Sequence, residues 1–104
     1  MAYPSKYKDA QVEILGEPST ARQLTAGSAS SNTALTTTVQ RISMRAVGAD
    51  IRFSIGTGTQ TANGNTSPFI ANGERLDFAV PESANIAVIR DGTVNGTLEL
   101  TELI

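Results

Sequence analysis

From Val39 onward, hydrophobic and polar residues alternate. Ile42, Met44 and Ala46 alternate with Arg41, Ser43 and Arg45. After Gly48, Ile51, Phe53 and Ile55 alternate with Asp50, Arg52 and Ser54. A period of two predicts strands with one buried face and one polar face. Leu76, Phe78 and Val80 repeat the pattern against Arg75, Asp77 and Ala79, and Pro81 closes the run. Residues 86–89 are continuously apolar and predict a strand buried on both faces. Leu98 and Leu100 alternate with Thr97, Glu99 and Thr101 in a last strand. Between these runs, residues 56–68 form a polar, glycine-rich loop and Asn72-Gly73 a turn. Residues 91–96 read as a hairpin loop with Asn95-Gly96 at its tip.

The first third of the chain is different. Residues 1–9 carry Tyr3, Pro4, Lys6, Tyr7 and Lys8. Pro4 disfavours helix and pushes Tyr3 towards extended geometry. Val12 and Ile14 alternate with Gln11 and Glu13, a short strand signal over residues 10–15, stopped by Gly16 and Pro18. Residues 19–38 are rich in Ser, Thr and Ala and cannot bury enough apolar area to fold alone. They read as a linker, or as an extended arm that orders against a partner. The expected division is an N-terminal arm and connecting segment over 1–38 and a β-sandwich domain over 39–104.

No window carries an apolar stripe of helical period. Thirteen threonines, with Val and Ile at the strand positions, agree with sheet. Strand signals spaced by about 8–12 residues and separated by Gly, Asn and Pro point to a sandwich or small barrel. The fold class expected is therefore all-β: a small β-sandwich or jelly-roll-like barrel with an extended N-terminal arm.

Composition narrows the chemistry. At 104 residues one domain is the default. The chain contains no cysteine and no histidine, which removes disulfides, thiolate catalysis and His-based hydrolytic triads, and makes a zinc site improbable. A net charge of −2 argues against direct nucleic-acid binding. No apolar run is long enough for a membrane-spanning helix, and MAYPSKYKDA lacks the apolar core of a signal peptide. The expectation is a protein made or assembled in the cytoplasm.

Several constellations invite a chemical reading. Asp91, Thr93, Asn95, Gly96 and Glu102 fall at calcium-loop spacing, but Thr stands at the third position and strand patterns flank the loop. A surface turn is the better reading. Asp50, Glu74 and Asp77 supply carboxylates for glycoside hydrolysis only if two of them face one cleft about 5–10 Å apart. Solvated surface charge is the simpler account. Lys6 and Lys8, the only lysines, lie in the polar N-terminal piece, a poor setting for a desolvated catalytic amine. Gly56-Thr57-Gly58 lacks the third glycine of a dinucleotide loop, and no Gly-Lys-Ser/Thr follows it. Asn65 and Asn95 begin formal glycosylation sequons that carry no weight without a secretory signal. Arg41, Arg45 and Arg52 belong on polar strand faces, where cross-strand ion pairs with residues such as Asp50 are expected. No catalytic residue, metal ligand or cofactor emerges. The candidate binding residues are Tyr3, Pro4, Lys6, Tyr7 and Lys8, because tyrosines near a free end suit a docked arm.

The patterned part, RISMRAVGADIRFSIGTGTQTA followed by SPFIANGERLDFAVPESANIAVIRDGTVNGTLELTEL, resembles small β-sandwich proteins of tailed-phage virions. The likeness lies in the Gly48-Ala49-Asp50 corner, the strand ending at Ile55-Gly56, the Gly73-Glu74 turn, the strand closed by Val80-Pro81 and the final Gly-x-Leu-x-Leu-Thr strand. It covers residues 39–104 and includes no functional site. It implies a capsid decoration or cement protein of the virion, not an enzyme. Its implied partners are the major capsid protein and further copies of itself, with a trimer favoured. Neck, tail or fibre-base components are the nearest alternative. A carbohydrate-binding module is disfavoured by the absence of Trp and the scarcity of aromatic residues.

Overall fold

A computed structural model describes residues 17–104. The candidate residues Tyr3, Pro4, Lys6, Tyr7 and Lys8, and the strand signal over 10–15, lie outside them. The described chain forms β1 (Pro18–Ala26), β2 (Ser31–Ala34), β3 (Arg41–Val47), β4 (Ile51–Thr57), β5 (Phe69–Ile70), β6 (Arg75–Ala79), β7 (Ala84–Arg90) and β8 (Gly96–Leu103). Four strands make sheet A in the order β1-β8-β3-β6, and four make sheet B in the order β2-β7-β4-β5. All named pairings are antiparallel. Successive strands pass from one sheet to the other, except that β5 follows β4 in sheet B. Eight strands wound in this order make a jelly roll.

The alternating positions set the core. Ile42, Met44 and Ala46 of β3, Ile51 and Phe53 of β4, Ile86 and Val88 of β7, and Leu98 and Leu100 of β8 are all buried between the sheets. The apolar run in β7 is buried on its outer side as well, as its composition predicts: Ala87 has no exposed surface. The polar 57–68 segment provides this cover. The Gln60 amide donates to Asn32 Oδ1 at 2.9 Å, and Ser54 Oγ donates to Gln60 Oε1 at 2.7 Å. The Ala62 amide donates to Ser30 Oγ at 2.8 Å, and Ala62 is buried. The loop therefore lies folded across sheet B.

Three expectations need correction. The boundary at 38/39 does not divide the fold, because residues 18–34 supply an edge strand to each sheet. Their Ser/Thr-rich composition is that of edge strands: they bury Leu24 and Ala26, with Leu35 following β2, and leave the rest exposed or half-buried. Second, residues 91–95 do not form a hairpin, because β7 and β8 lie in opposite sheets. The segment carries the chain across the sandwich, and Gly96 starts β8 where a Cβ would come within 3.1 Å of Ala49 Cβ. Third, Leu76, Phe78 and Val80 do not make a fully buried row. β6 ends at Ala79, and Phe78 is 37% exposed although it pairs with fully buried Ile42. The Asn72-Gly73 turn is present: Glu74 N–H donates to Ala71 O at 2.8 Å, with Gly73 at φ 85°. That backbone conformation favours glycine.

Phe53 and Phe78 pack against each other with ring centroids 5.7 Å apart and ring planes tilted at 49°, yet only Phe53 is enclosed, at 4% exposure. Phe53→Ala is expected to lower stability by about 3–5 kcal/mol. Phe78→Ala should lower it by only about 1–2 kcal/mol, because a large part of that ring stays wet. Urea unfolding of both variants checks this, and equal losses would contradict the assigned packing.

Candidate functional site

Three places on the described surface gather polar side chains. The first is a cleft of about 300 Å³ at one end of the sandwich, lined by Gly48, Ala49, Asp50, Asn72, Asp91 and Val94 among others. It lies where the β3–β4, β5–β6 and β7–β8 connections converge. Its polar groups are spent on holding those connections together. Asn72 N–H donates to Asp50 Oδ1 at 2.8 Å, and Gly48 N–H donates to Asn72 Oδ1 at 2.9 Å. Asp91 N–H donates to Asp50 O at 3.1 Å. The Asp91 carboxylate is engaged by Arg52, whose Nε donates to it at 2.7 Å. Arg52 also donates through Nη1 to Ser67 O at 2.9 Å and lies 5.2 Å from the centre of the Phe69 ring. This arginine fastens the end of the 57–68 loop to the β7–β8 crossing.

The second place is the outer face of sheet A. A groove of about 200 Å³ there is lined by Ser43, Arg45, Arg75, Glu99 and Thr101, with Met44 at its floor. Arg75 Nε donates to Ser43 Oγ at 2.9 Å and approaches Asp77 at 3.8 Å. Gln23 Nε2 donates to Glu99 Oε1 at 3.0 Å. Arg45 stands in register with Glu99 on one side and Arg75 on the other. No ion pair among the described residues uses Arg41 or Arg45. This face is polar, mixed in charge and open.

The third is a buried charge. Leu98, Leu100 and Glu102 follow one another on the inward face of β8, and Glu102 is fully buried. Thr36 donates to its carboxylate twice, through its amide at 2.9 Å and its hydroxyl at 2.7 Å. Arg22 Nε donates at 3.1 Å. Desolvation is the largest single influence on this carboxyl and raises its pKa. The Thr36 hydrogen bonds and the Arg22 guanidinium together outweigh it, and the pKa lies below the ordinary value of 4.5. No buried side-chain nitrogen or oxygen among the described residues lacks a partner.

The residues singled out by spacing do not converge. Asp91 pairs with Arg52 on the surface while Glu102 sits in the core with Arg22 and Thr36, so the calcium-loop spacing does not form a site. Among the described residues no three Asp, Glu, His or Cys side chains cluster as metal ligands. Asp50 is tied to the Asn72 amide, Glu74 caps the Ala71 amide at 2.9 Å, and Asp77 stands on the outer face of sheet A beside Arg75. Of the three strand arginines, Arg41 and Arg45 are on sheet A and Arg52 is on sheet B. Arg52 finds Asp91, not Asp50. Glu102 is the residue that spacing misplaced. Strand alternation carried on from Leu98 and Leu100 puts it on the inward face. Among the described residues no helix is long and apolar enough to cross a membrane. No family model, curated protein or solved structure matches the chain.

The lowered pKa of Glu102 fixes a sign. Its contribution to stability is fully present above about pH 4.5, the ordinary value, and is lost as pH falls through the lower native value. Glu102→Gln is expected to cost about 1.5–3 kcal/mol at neutral pH, the range for hydrogen bonds to a charged group. The variant should also lose less further stability on acidification than the parent. Urea unfolding from pH 7 down to about pH 3 measures both, and parallel pH profiles would contradict an ionised Glu102.

Proposed function

We propose that this protein is a structural component of a tailed-phage virion, a decoration protein that binds and stabilises the assembled capsid. The observation that carries the reading is the strand order β1-β8-β3-β6 over β2-β7-β4-β5. Jelly rolls of this kind recur in viral capsid domains and in lectins. A fold is a scaffold and not a function, so the surface has to choose between them. The end cleft holds carboxylates already committed to the turns that form it, which suits a rigid building block better than a reaction centre. A lectin would present aromatic faces to sugar, but the exposed Phe69 ring is stacked against the Arg52 guanidinium. The open outer face of sheet A, with Arg41 and Arg45 outside any ion pair among the described residues, offers a polar contact surface of the kind a shell-bound module uses.

In this reading the partners are the major capsid protein and other copies of the chain, in a homo-oligomer that the resemblance of residues 39–104 suggests is a trimer. Binding the mature shell and not its precursor stabilises the mature state by mass action. Many weak contacts, repeated across the particle, supply the avidity. The residues proposed to contact the shell are Tyr3, Pro4, Lys6, Tyr7 and Lys8.

The test is co-sedimentation of the purified protein with expanded, undecorated capsids and with unexpanded precursors. Saturable binding to expanded shells alone is expected, and deletion of residues 1–9 should weaken it without lowering the melting temperature. Absence of binding to either particle would place the protein at the neck, tail or fibre base, or outside the virion.

A further inference from the structure

We propose that residues 11–15 of a second copy add a strand to the free edge of β6, laying Val12 and Ile14 against Phe78 and Leu76. β6 ends sheet A, and among the described residues no strand pairs with its outer side. Across the sandwich, β5 is only two residues long and covers β4 at Ile51 and Arg52. The edge of β4 from Ser54 to Thr57 therefore has no ladder partner on that side among the described residues. Between these two edges the core is open. Phe78 is 37% exposed, and Leu76 and Ile55 are only partly buried against the core. An unpaired edge beside an apolar strip is where an extended segment adds itself to a sheet: the backbone ladder supplies affinity and alternate side chains fill the strip.

The sequence supplies such a segment. Val12 and Ile14 alternate with Gln11 and Glu13, giving a strand one apolar face. The other free edge of sheet A suits it poorly. β1 is exposed from Pro18 to Ala21, and Arg22 is already committed to Glu102.

Reach excludes the protein's own arm. Glu17 is anchored beside the end of β8 by mutual hydrogen bonds with Ile104, at 2.7 and 2.8 Å. A position beyond β6 is four strand spacings from the lane of β1, about 19 Å at roughly 4.8 Å each. Val12 is five residues from Glu17 and reaches at most about 18 Å when fully extended; Ile14 reaches about 11 Å. A strand carrying both beside β6 must come from another molecule. The described part of the donor begins at the β1 edge and the acceptor lies at the opposite β6 edge, so the contact is head-to-tail. Such contacts close into rings when the rotation permits.

This inference shares with the proposed function only the homo-oligomer, and its test contains no capsid, so either can fail alone. Sedimentation velocity of the full chain over a range of concentrations should reveal an oligomer. The Val12→Asp/Ile14→Asp variant should run as a monomer that keeps the β-sheet circular dichroism of the parent, with a melting temperature lower than the parent's and independent of protein concentration. Hydrogen exchange gives a second readout on the acceptor side: the β6 amides that do not bond β3 should be protected in the parent and should lose that protection in the variant. A parent that stays monomeric, an oligomer that survives the double substitution, or β6 exchange equal in the two proteins would each overturn the proposal.

Discussion

The ladder between β1 and β8 closes the molecule. The two strands lie at opposite ends of the described chain yet run side by side, from Pro18↔Leu103 to Ala26↔Gly96. The Glu17–Ile104 pair of hydrogen bonds extends the ladder. The Glu102 carboxylate then reaches from β8 to Arg22 on β1 and to Thr36 on the β2–β3 connection. A carboxylate on the core-facing row would be costly if any of these donors were missing. With them it ties three segments to one point. Because almost every other connection also crosses between sheets, no strand pair except β4–β5 can form as a local unit, and the fold depends on contacts distant in sequence. Topologies of that kind fold slowly relative to their size.

The same economy governs the surface. Arg52, Asp91, Asp50 and Asn72 hold three connections and the 57–68 loop in place. Side chains used this way fix the positions of the loops they join. What remains uncommitted is area: the polar outer face of sheet A and the apolar flank between β6 and β4. The proposed role as a shell-bound protein rests on those two surfaces.

Much of the fold was legible because inward positions follow strict alternation. Ile42, Met44 and Ala46, then Ile51 and Phe53, then Leu98 and Leu100, all sit where the period of two places them. β1 and β2 were harder to see, since an edge strand with two inward apolar residues resembles a linker in composition. The β7–β8 crossing was misread for a different reason. Asn95-Gly96 is turn chemistry whether the chain returns within a sheet or passes to the opposite one, and only packing against Ala49 decides. The surface sites were the least legible. Calcium-like spacing joined Asp91 to Glu102, although Glu102 lies near the far end of β8, in the core, and Asp91 in a solvent-side loop. The apolar flank depends on β5 being only two residues long, which no pattern in the sequence announces.

Cryo-electron microscopy of expanded capsids saturated with the protein would decide the proposed role. Jelly-roll density is expected at symmetric positions on the outside of the shell, in rings of copies with an extra strand bridging to each β6 edge. Density confined to the neck or tail, or shells that carry no added density, would contradict it.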